Sequence, residues 1–140
     1  MDGIGAASSV IAVVELSSKV VSLCSQYYRA VKKAKQDIMR LQGVVENLSI
    51  IFKDVYDMLD GQQGSKLQSS QKIKQVVVEC TSELEWLENK LELHVGQKTM
   101  RRFGIRALKW PLTNMEVDKV IQILRRSEDD IALAMQIDQS

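Results

Sequence analysis

The chain has 140 residues, 19 Lys and Arg against 18 Asp and Glu, and a single His, for a formal charge of +1. This length suits one domain, and the charge balance excludes a globally basic nucleic-acid binder and an acidic disordered tail. Apolar residues at 45% suffice to close a core, whereas one proline, seven glycines and 5% aromatics exclude a turn-rich all-β fold and a stacking platform for single-stranded nucleic acid.

The first element is expected over residues 4–29. Its opening does not read as a secretory signal, because Asp2 stands where a basic flank belongs and the apolar stretch runs into Glu15. Ile4, Val10, Ile11, Val13 and Val14 lie in a segment that is apolar or small nearly all round. Such a segment reads as a helix buried on most sides, and so as the most enclosed helix of the fold. Its density of Val and Ile leaves a strand as the local alternative. Length favours a helix, as does Glu15 four residues before Lys19.

A basic connection follows, with Arg29, Lys32, Lys33 and Lys35 within seven residues. The second helix opens on Asp37, a first-turn acid, and carries Ile38, Leu41, Val45, Leu48, Phe52, Val55 and Leu59. The spacing alternates between three and four without a break, which is an a/d stripe. Asp60 and Gly61 end it. The third helix, capped by Ser69 or Ser70, repeats the pattern with Ile73, Val77, Cys80, Leu84, Leu87 and Leu91, and Gly96 closes it.

The next stretch is irregular and basic. Lys98, Arg101, Arg102, Arg106 and Lys109 alternate with Phe103, Ile105, Leu108, Trp110 and Leu112, with no acid among them. It reads as a loop with a short helical turn, stopped before Pro111. Its aromatics suit either interfacial anchors or plugs over the end of a bundle. Thr113 followed by Glu116 is a capping box, and the last helix carries Val117, Val120, Ile121, Leu124, Ile131, Ala134 and Met135.

The expectation is an all-α fold: a single four-helix bundle over residues 1–140, with short connections, antiparallel neighbours and a short extra helical turn before the last helix. Cys24 and Cys80 are too few to staple a scaffold and read as reduced, buried thiols of an intracellular protein. No phosphate loop, nucleophile elbow or metal-ligand spacing is present, and His94 stands alone. Glu79, Glu83, Glu85, Glu88 and Glu92 avoid the apolar stripe of their helix and read as a solvated face rather than acid–base machinery. No enzyme and no cofactor is expected.

The two basic clusters hold nine of the 19 cations. They suit an anionic surface, each Lys or Arg near such a leaflet being worth about 1 kcal/mol, or they are two solvated connections. The first helix can be weighed against a bilayer. Nine Ile, Val and Leu residues between positions 4 and 23 favour insertion by about 3 to 5 kcal/mol. Glu15 and Lys19 together oppose it by about 5 to 7 kcal/mol near the bilayer centre. One copy alone therefore spans poorly, and insertion needs several copies or the charges at an interface. The other reading of this helix is an ordinary core element.

The opening Met-Asp-Gly-Ile-Gly-Ala-Ala-Ser-Ser-Val-Ile-Ala-Val-Val-Glu-Leu resembles the start of fungal HeLo-like domains (HeLo/SesA type), the N-terminal cell-death domains of NOD-like receptors and related proteins. Leu108-Lys-Trp-Pro-Leu112 and the closing Leu133-Ala-Met-Gln-Ile-Asp-Gln139 resemble the last-helix region of the same family. The resemblance covers essentially the whole chain. It implies kinship with the four-helix domain of mixed-lineage kinase domain-like proteins, and a place at the N-terminus of a longer protein. It also implies a bundle that is cytoplasmic at rest. An upstream receptor or amyloid partner clusters it, and it then permeabilises the plasma membrane. On this sequence Ile4, Val10, Ile11, Val13 and Val14 become the inserting segment and Glu15 its charged boundary. Arg29, Lys32, Lys33, Lys35, Arg101, Arg102, Arg106 and Lys109 become contacts for anionic headgroups by physical inference. The competing function is a helical interaction module without lipid activity.

Overall fold

The computed structural model describes residues 2–61, 70–95 and 109–139. Four helices carry the chain: α1 (Asp2–Ala30), α2 (Lys35–Gly61), α3 (Ser70–Val95) and α4 (Asn114–Gln139). Among the described residues there is no strand, and the helices pack on one another as an all-α four-helix bundle.

Each helix follows from its sequence. Every member of the α2 stripe from Ile38 to Leu59 is buried, as is every member of the α3 stripe from Ile73 to Leu91. A step of three or four residues returns a side chain to the same helical face, so a 3-4 alternation of large apolar groups buries one continuous seam. The start of α4 is the reciprocal cap its sequence announces. The Thr113 N–H donates to Glu116 Oε1 at 2.9 Å, and the Glu116 N–H donates to Thr113 Oγ1 at 3.1 Å. That backbone bond holds the Glu116 carboxyl below its ordinary range. The short helical turn expected before Pro111 falls outside the described residues.

Cross-helix pairs set the directions. Ser25 of α1 meets Gln42 of α2, and with only residues 31–34 between the two helices they run antiparallel. Asp37 meets Asn114, Arg40 meets Asp118 and Asn47 meets Glu128, so α2 and α4 run parallel. Lys90 meets Glu116 and Lys72 meets Asp130, so α3 and α4 run antiparallel. It follows that α1 and α3 are parallel. The packed neighbours are α1 with α2 and α3, and α4 with α2 and α3, while α2 and α3 face one another across a diagonal. Antiparallel neighbours are therefore found on two sides of the bundle only. Consecutive helices alternate in direction as expected, but the step from α2 to α3 crosses the diagonal, which places like-directed helices side by side.

A second expectation changes too. α1 is not buried on most sides: like the other three helices it stands at a corner, and 33% of its apolar stretch is buried. Val10, Val13, Ser17, Val20, Cys24 and Tyr27 face inward, while Ser8, Ala12, Glu15, Ser18 and Ser22 face solvent. Alanine and serine bury little area, so they tolerate either side, and the larger Val, Leu and Tyr side chains decide which face turns in.

Candidate functional site

The described members of the two groups of residues singled out by sequence sit at opposite ends of α1. Of the candidate inserting segment, Val10 and Val13 are fully buried, Val14 packs against the core from its margin, Ile11 is 39% exposed and Glu15 is exposed. The Ile4 side chain lies outside the described residues. Among the described residues this stretch is thus half core and half surface, with Ile11 the large apolar group that reaches solvent most.

Two polar features bear on how firmly α1 is held. Ser17 is 0% exposed, and its hydroxyl has no hydrogen-bond partner. A hydroxyl buried without a partner costs free energy on the order of 1–3 kcal/mol. Lys19 does not pair with Glu15. It reaches α3 instead, lying 2.7 Å from Glu88 and 3.4 Å from Glu92. These glutamates therefore do not form a purely solvated face. Glu88 is 18% exposed under Lys19, and partial burial raises the Glu83 carboxyl above its ordinary range.

The far end of α1 is a layered joint. The Tyr27 hydroxyl donates to the Leu91 carbonyl at 2.6 Å, and its ring meets Trp110 edge to face with centroids 5.2 Å apart. Trp110 therefore serves as a plug on the bundle end, the second of the two roles its position suggested. Leu112 is buried beside the same region. Between α1 and α2, Ala34 takes a left-handed conformation (φ 71°), and its carbonyl accepts the first α2 bond from Ile38 at 3.0 Å.

The candidate headgroup residues separate into three sets. Arg29, Lys32, Lys33 and Lys109 are exposed and have no ion-pair partner among the described residues. Lys35 is committed: its ammonium donates to the Tyr28 carbonyl and lies 4.3 Å from the centre of the Tyr28 ring. Arg101, Arg102 and Arg106 lie outside the described residues.

One concavity borders this end, an open groove of about 460 Å³ lined by Ser25, Tyr28, Arg29, Met39, Gln42, Gly43 and Glu46. Glu46 opposes the charge of Arg29 there, so the groove does not select an anion. Cys24 and Cys80 are both free and buried. Among the described residues no cluster of three or more His, Cys, Asp or Glu is arranged to hold a metal. Together these features define an all-α bundle with one strongly apolar helix and a group of exposed cations at one end. No family model matches the chain, and neither a curated protein nor a solved structure matches it.

Proposed function

We propose that this bundle is a membrane-targeting effector domain of regulated cell death, cytoplasmic at rest, which self-associates on activation and breaches the plasma membrane with α1. The observation that supports this reading most is the double character of α1. Its Ala7–Ala30 stretch is long and apolar enough to cross a bilayer, yet 33% of it is buried in the bundle. A core helix of a soluble protein meets the same length and composition test, so the reading also draws on the orphaned Ser17 hydroxyl. Hydroxyls of this kind find partners across helix–helix interfaces in membranes. Clustering by an upstream receptor or amyloid partner supplies the several copies that Glu15 and Lys19 require.

The second reading, an interaction module without lipid activity, has its own observation. Ile50, Val78, Met115 and Leu133 are 57–81% exposed, and none lies on α1.

Exposure separates the two experimentally. Glutamate at Ile11 and Ala12, both exposed, leaves the core intact. Each charge near the bilayer centre costs about 3 kcal/mol. Wild-type protein is expected to release dye from anionic vesicles, and the folded Ile11→Glu/Ala12→Glu variant to release little. Intact vesicles with clustered wild-type protein assign the domain to recruitment instead, and equal release by both proteins removes α1 as the breaching element.

A further inference from the structure

The groove between α1 and α2 carries two opposite charges that do not meet. Arg29 and Glu46 are the charged residues that line it, and neither has an ion-pair partner among the described residues. The register of the two helices keeps them apart. The Gln42 side chain donates to the Ser25 hydroxyl at 3.3 Å, and α1 and α2 run antiparallel there. Arg29 lies four residues on from Ser25, and Glu46 four on from Gln42, so each stands one turn to either side of that pair. Eight residues of helix span roughly 12 Å. Midway between the charges Gly43 bares its backbone, and a Cβ there would meet nothing within 4 Å. Met39, Gly43, Glu46 and Ile50 step by four, three and four along α2 and form one exposed row outside its buried stripe, with Met39 and Ile50 more than half exposed. Past the Arg29 end lie Lys32, Lys33 and Lys35, and past the Glu46 end Glu15, Lys53, Asp54 and Asp57. Asp37 and Arg40 turn to α4, and Lys19 to α3. The groove is thus polarised along its length.

We infer that this groove receives an amphipathic helix of a partner protein, one that carries an acid and a base seven residues apart with a large apolar side chain midway between them. A helix of that pattern presents the acid and the base on one face, about 10.5 Å apart, which matches the separation of Arg29 and Glu46. Its middle side chain falls over Gly43, in the open space beside Ser25 and Met39. This is the way an amphipathic helix lies in a groove, with anchors on successive turns. The groove is open along its length, so it does not wrap a small molecule as an enclosed pocket does. A wholly cationic or wholly acidic partner leaves one end mismatched, and so does an anionic lipid surface. The inference does not rest on membrane insertion by α1, and it gives the recruitment reading a partner of definite chemistry.

The test uses the full chain and three fluorescent peptides of about 15 residues, long enough to form a helix. Each is built on alanine and glutamine around a central leucine, and the two flanking positions carry Glu and Lys, two Glu, or two Lys. Anisotropy is expected to show the mixed peptide bound about 5-fold more tightly than either like-charged one, since one exposed ion pair is at stake. The methyl resonance of Met39 is expected to shift on binding, and that of Met115, exposed on α4, to stay in place. Gly43→Leu improves helix propensity and meets no neighbour at its Cβ, so the variant folds. Its side chain fills the niche, and affinity is expected to fall on the order of 10-fold. Glu46→Arg is expected to move the preference to the peptide with two Glu. No binding, equal binding of all three peptides, equal shifts at Met39 and Met115, unchanged affinity of Gly43→Leu, or an unmoved preference in Glu46→Arg overturns the inference. The readout is peptide binding, so the inference stands or falls apart from dye release.

Discussion

Single side chains show where this bundle is held below its attainable stability. The Ser17 hydroxyl is buried with nothing to bond. Ser17→Ala removes the unsatisfied group and improves helix propensity, so it is expected to stabilise the fold by about 1–2 kcal/mol, read as a higher urea midpoint at unchanged slope. Cys80 behaves in the opposite sense. Desolvation raises its thiol from 9.0 to about 12. The folded chain keeps this proton when the unfolded chain has lost it. The contribution is therefore complete below pH 9 and fades as pH climbs from 9 towards 12. Burial raises the Cys24 thiol to about 12 as well, so urea titrations at pH 8 and pH 10.5 are expected to show the loss, Cys80→Ala to lessen it, and Cys24→Ala/Cys80→Ala to lessen it further.

Elements differed in how much of their environment could be read in advance. α2 was legible in full because large apolar groups at strict 3-4 spacing permit one buried face only. The α4 cap was legible because both halves of its hydrogen-bond exchange lie within four residues. α1 was not, since Ser8, Ala12, Ser18 and Ser22 have too little side-chain area to declare a side. Lys19 misled for a related reason: Glu15 offers a local partner at helical spacing, while the partners it takes, Glu88 and Glu92, lie on another helix. The α1–α2 connection carries its own test. Ala34 sits at φ 71°, where a Cβ costs roughly 1–2 kcal/mol. Glycine removes that strain at a smaller entropic cost, so Ala34→Gly is expected to raise the melting temperature by a few degrees.

At the scale of the whole molecule, the buried residues of all four helices form one continuous cluster from Val10 to Ala134. Unfolding is accordingly expected to be a single cooperative transition, with helical circular dichroism and the fluorescence of Trp86 and Trp110 changing together. An early loss of one signal would mean that α1 separates from the rest at equilibrium. The grouping of exposed cations also belongs to this scale. Arg29 and Lys109 are 80 positions apart, and only the directions of the four helices bring their ends together.

The diagonal step from α2 to α3 has a consequence for any departure of α1. These two helices pack against α1 on one side and α4 on the other. Withdrawing α1 therefore opens a three-walled trough floored by α4, whose lining includes groups such as Phe52 and Leu84 that water wets unfavourably. A released first helix thus leaves behind a cradle of its own shape. If α1 leaves as proposed, the first helix of another copy fits that cradle, and exchange of helices between molecules is then a route to the self-association proposed above.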